Sequence, residues 1–110
     1  MGATIWVLPE GKEEDNWDHS FMLSDEKKLD AISNKLNVTK LSEFYDYEFE
    51  GNYIDIKDAI ITLRALIKEI KTTVIKLKSK KELVEELEDC LTKIHQAQEN
   101  NIRIRFSIVS

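Results

Sequence analysis

Five of the nine aromatic residues, Phe44, Tyr45, Tyr47, Phe49 and Tyr53, fall within ten positions, with Glu43, Asp46, Glu48, Glu50 and Asp55 set among them. Tyrosine and phenylalanine offer large contact area at low entropic cost, and carboxylates steer a cationic partner. The stretch could therefore recognise a basic protein, with Glu43, Tyr45, Asp46, Tyr47, Glu48 and Tyr53 as the contact residues. The same residues have a structural use. Phe44, Phe49 and Tyr47 can plug the gap between two helices and leave the acids solvated.

Other chemistry-bearing groups are less well placed. Trp17-Asp18-His19 contains a carboxylate beside an imidazole, the elements of a general base. Neighbours on an extended chain point to opposite sides, so Asp18 is poorly set to orient His19, which reads as a surface histidine. Cys90 and His95 stand five apart, off the three-or-four spacing of helical neighbours, and Cys90 reads as a small core residue. Arg103 and Arg105 share one face of a strand and could clamp an anion, although cross-strand pairing with acids suits them better. Paired acids such as Glu13-Glu14-Asp15 and Glu85-Glu86 lack a site-forming spacing. The sequence contains no phosphate-binding glycine loop, zinc motif, calcium loop or nucleophile elbow. No cofactor and no metal are expected.

Charge narrows the partners. The net charge is −5, but residues 1–58 carry 14 acids against 6 bases, and residues 59–110 carry 7 against 10. An acidic front half opposes binding to phosphate backbones. The lysines at 68, 71, 76, 78, 80 and 81 have no aromatic residue among them to stack a base, so nucleic acid is not an expected partner. No apolar run approaches the ~20 residues that span a bilayer. With a single cysteine and no basic leader, the expectation is a soluble cytoplasmic protein of one domain, residues 1–110.

The elements that must position these groups are mostly helical, since three glycines and one proline allow few tight turns. Ile56, Ile60, Leu63, Ile67, Ile70, Val74 and Leu77 alternate steps of four and three, which predicts a long helix from about Asp55 to residue 71–77, capped by Asn52 or Asp55. Ser79-x-x-Glu82 is a capping box. It opens a second helix whose inner face is Leu83, Leu87, Cys90, Ile94 and Ala97. Glu85, Glu86, Glu88, Asp89 and Lys93 fall on the outer face. The short connection makes the two helices antiparallel neighbours. Ser24 is the expected cap of an earlier helix with Leu29, Ile32 and Leu36 inside, ending near Asn37. Val38–Phe44 can form a further turn, with Thr39 as its cap.

Ala3–Leu8, closed by Pro9-Glu10-Gly11, reads as a strand. Ile102–Val109 alternates cleanly and reads as another. Trp17–Leu23 is either a strand or an extended cover. The fold class is α+β: a two- or three-stranded sheet of the N- and C-terminal strands on a helical layer with a long antiparallel helix pair. Two strands alone are marginal, so the terminal strands gain Trp17–Leu23 as a third or extend across a homodimer.

These features favour a small acidic protein-binding module, of bacterial immunity or antitoxin type, that engages a basic protein. The alternatives are an enzyme or ligand binder with a pocket between sheet and helices, using Asp18, His19, Tyr45 or Tyr47, and a purely structural homodimer.

Overall fold

A computed structural model describes residues 3–15, 17–47, 53–72 and 79–109. In chain order the elements are β1 (Thr4–Pro9), α1 (Ser20–Ser24), α2 (Glu26–Leu36), a 3-10 turn (Leu41–Phe44), β2 (Tyr45–Tyr47), α3 (Ile56–Thr72), α4 (Lys80–Glu99) and β3 (Ile104–Val109). The fold is α+β, with the terminal strands paired and two long helices packed on them.

The sheet order is β1-β3-β2, so the last strand lies in the middle. β1 runs antiparallel to β3 with Val7 opposite Phe106, and β2 runs parallel to it with Tyr45 opposite the same Phe106. Alternation along β3 turns Ile104 and Phe106 onto the helices, where they join Ile5, Val7, Met22, Leu63, Leu66, Leu87 and Ile94 in one buried cluster.

The third strand is therefore Tyr45–Tyr47, and not Trp17–Leu23. That segment is an extended lead-in followed by α1. It is helical because the carboxylate of Glu86 accepts from the amides of Phe21 and Met22, at 3.2 and 2.9 Å. Those first-turn donors have no partner inside a short helix. The terminal strands pair with each other, and the free edge of β1 is partly covered. Both edges of β3 are taken. On the free edge of β1, Ile5 O accepts from the His19 amide, Val7 N donates to Asp15, Pro9 has no amide to offer, and Pro9 O accepts from Lys12 N. Gly11, at φ 91°, supplies the left-handed position that this last turn needs.

α3 and α4 pack antiparallel. Lys71 bonds Glu88, while Arg64 and Ile67 border Leu91 and Thr92 further back. The buried line of α3 is Ala59, Thr62, Leu63, Leu66 and Ile70, with Ile56, Ile60 and Ile67 only half-buried. The helix is rotated from the predicted stripe because it serves α2 as well as α4. Thr62 sits at the α2 side and donates to Thr39 O. Val74 and Leu77, the end of the predicted stripe, lie outside the described residues.

The terminal signals behave unevenly. Asp55 accepts from Asp58 N at 3.2 Å and caps α3. Asn37, at φ 58°, ends α2, and Asn101, at φ 53°, follows α4. Ser79 precedes α4 without a capping bond from its side chain. Ser24 closes α1 rather than opening α2, its hydroxyl donating to Phe21 O. Thr39 bonds the carboxylate of Asp58 and does not cap the 3-10 turn, whose cap position is Lys40. Among the described residues no helix is long and apolar enough to cross a membrane.

Candidate functional site

The polar groups drawn together most closely lie where the segment after β1 crosses α4. Glu86, Asp89 and Lys93 occupy positions i, i+3 and i+7 of α4 and share one flank of it. The expectation that they face outward is overturned, because the 10–25 segment lies over that flank. Lys93 Nζ reaches Asp15 Oδ1 at 2.6 Å and Asp89 Oδ2 at 2.8 Å. His19 Nε2 meets Asp89 Oδ2 at 2.7 Å, and His19 Nδ1 meets Ile5 O at 2.9 Å. Asp15 Oδ2 stands 3.5 Å from the same Nδ1.

His19, expected at the surface, is 0% exposed, and the Asp15 side chain 2%. The carbonyl of Ile5 can only accept, and Asp89 Oδ2 already accepts from Lys93. His19 Nδ1 therefore donates to Ile5 O, while Nε2 faces the Asp89 carboxylate. The Lys93 ammonium and the carboxylates of Asp15 and Asp89 meet in a site too dry to leave one of them unpaired. Asp18, the chain neighbour of His19, instead accepts from the indole of Trp6 at 2.8 Å.

Burial sets the remaining protonation tendencies. Desolvation raises the pKa of Glu86, against the lowering effect of the two amides that it accepts from. Burial pushes the Cys90 thiol well up, which leaves it unreactive as expected, with its sulfur 3.4 Å from that of Met22. For Lys93, burial acts to lower the pKa, but the bonds to Asp15 and Asp89 outweigh it and the net shift is upward. A lysine whose folded pKa exceeds the unfolded one contributes stability that is fully present below about pH 10.4 and lost as pH rises through the folded value. Lys93→Met is therefore expected to flatten the alkaline fall in stability, read by urea unfolding from about pH 8 to about pH 11. An unchanged slope would assign that fall to other groups.

This anchorage fixes a surface loop. Trp17 stacks on His19 with centroids 5.9 Å apart and planes at 15°, and remains 39% exposed. Glu13, Glu14 and Asp18 of the same segment are exposed. A pocket of about 370 Å³ opens on one side of the loop, with Lys93, Gln96 and Asn100 above a floor of Val7, Ala97 and Ile102. A shallower one of about 460 Å³ opens on the other, lined by Trp6, Glu13, Glu14 and Arg105. Glu14 borders both.

Of the 43–53 stretch, residues 43–47 and 53 are described, and their surroundings differ. Tyr45 lies against Phe106 at 6.4 Å, its hydroxyl enclosed without a partner, and burial raises its pKa well above the usual tyrosine value. Asp46 is buried and accepts from Ser107 Oγ at 2.6 Å. Phe44 plugs the core, edge-on to Phe106. Glu43 is exposed and accepts from Lys40 N. Tyr53 is half-buried beneath the guanidinium of Arg103, 4.2 Å from its ring centre. Of Tyr47 only the backbone is described, and Glu48 and Phe49 lie outside the described residues. Arg103 pairs with Glu10 at 2.8 Å, the expected use of that arginine.

Asp18, His19 and Tyr45 thus do not converge on one pocket, as the enzyme reading requires. Among the described residues no cluster of three or more histidine, cysteine or acidic side chains is arranged to hold a metal. Comparison with models of known protein families, with characterised proteins and with solved structures gives no match.

Proposed function

We propose that this chain is a small acidic binding module, of immunity or antitoxin type, that engages a basic protein in the cytoplasm through residues 10–15, 17 and 18. The observation that carries this reading is an exposed indole, Trp17, on the same loop as exposed Glu13, Glu14 and Asp18 and pinned from beneath by buried charges. A loop already fixed loses little entropy on binding, and its carboxylates steer a cationic partner. An aromatic side chain at the centre supplies the anchor that charge alone lacks.

The test is affinity capture from lysate of the source organism by three forms of the protein: wild type, Glu13→Gln/Glu14→Gln/Trp17→Ala and Glu43→Gln/Tyr53→Ala. A basic protein held by the wild type and the second variant, but at least about tenfold depleted on the first, is the expected result. Loss on the second variant alone would return the contact to the 43–53 stretch. Capture of only neutral or acidic proteins, equally by all three, would end the basic-partner reading.

A further inference from the structure

The outer side of α3 carries a second exposed stripe. Lys57, Ile61, Arg64, Lys68 and Lys71 are all exposed and follow steps of four and three, so they line up along one side of the helix. The line is about 21 Å long at 1.5 Å per residue. Ile61 is 57% exposed, the most open large apolar side chain among the described residues. Only Lys71 has a carboxylate partner, Glu88 at 3.2 Å; Lys57, Arg64 and Lys68 have none among the described residues. Four cations around one apolar side chain line this side of α3, with Arg64 and Lys68 at the edge of the groove that holds Glu88 of α4.

We propose that this stripe is a docking edge for an acidic helical segment of a partner protein, a contact separate from the acidic loop. Charge complementarity selects an anionic occupant. The line is straight, and about fourteen residues of a helix laid along it would cover its length, with carboxylates facing the cations and one apolar side chain meeting Ile61. A nucleic acid backbone would leave Ile61 without a function, and no aromatic residue of the stripe can stack a base. A membrane surface would need several apolar side chains along the line, and there is one.

The probe is a fluorescein-labelled helical peptide of three heptads with one central leucine in a stripe of glutamates, followed by anisotropy in low and physiological salt. Saturable binding is expected in both, with amide shifts in heteronuclear NMR confined to residues 57–72. Ile61→Ser should weaken binding about tenfold, and Lys57→Glu/Arg64→Glu/Lys68→Glu should abolish it. All four positions are solvent-exposed, and circular dichroism of each variant verifies the fold. Three outcomes would overturn the proposal: binding indifferent to Ile61→Ser, shifts centred outside α3, or tighter binding to a DNA duplex or to phosphatidylserine vesicles than to the peptide.

Discussion

His19→Ala is expected to lower the free energy of unfolding by about 3–5 kcal/mol, the usual cost of leaving a buried charge without its partner. Among the described residues the His19 ring alone meets Ile5 O and Asp89 together, at 2.9 and 2.7 Å. Without it, two carboxylates share one ammonium, and the dry one, Asp15, keeps Lys93 and the amides of Val7 and Trp17. The loss should be local before it is global. Residues 10–25 depend on this site, through His19, Asp15 and the neighbouring Glu86 cap, whereas α3 and α4 do not. Hydrogen exchange of the variant should show protection lost first in the Val7, Phe21 and Met22 amides, with α4 last. A change below about 1 kcal/mol in urea unfolding would mean that the ring contributes bulk and not hydrogen bonds.

Phe106→Ala should cost a similar amount, about 3–5 kcal/mol, by a different route. Phe106 is fully buried at the centre of the middle strand, with Val7 and Tyr45 on either side and the Phe44 ring edge-on at 6.4 Å. Removing the ring opens a cavity between sheet and helices that no neighbour can fill, since both flanking strands are hydrogen-bonded to this one. Against a total stability of order 5–15 kcal/mol, this loss approaches unfolding. Cooperative unfolding at a lower urea midpoint is expected, without the staged exchange of His19→Ala. Phe106→Leu should restore roughly half of the loss. A smaller effect for alanine than for leucine would show that the site is overpacked.

The parts of this fold that are legible in the sequence rest on local periodicity. The alternation of Ile104, Phe106 and Ile108 marks β3, and Leu83, Leu87, Cys90 and Ile94 mark the inner side of α4. The asparagines at 37 and 101 mark stops through their tolerance of left-handed backbone. The parts that are not legible depend on partners far along the chain. His19 is buried because Asp89 waits 70 positions later. α1 is a helix because Glu86 caps it from 65 positions away. A carboxylate next to Cys90 on an amphipathic helix looks like solvent-facing charge until another segment covers it. Tyr45-Asp46-Tyr47 does alternate in the strand period, but three residues give too short a signal to separate a strand from a loop. Their neighbours in the sheet come from the opposite end of the chain.

That last arrangement bears on synthesis. β1 and β2 are made early, and each bonds in the sheet only to β3. Until residues 104–109 clear the ribosome, neither has a strand to pair with, and the nascent chain can hold only helices. The sheet then forms in a step that joins positions from Pro9 and Ile104 out to Thr4 and Val109, a long-range pairing that slows folding. In the interval the hydrophobic side of β1 is exposed, with the turn at Pro9 and the charged loop behind it as its nearest protection against neighbouring chains.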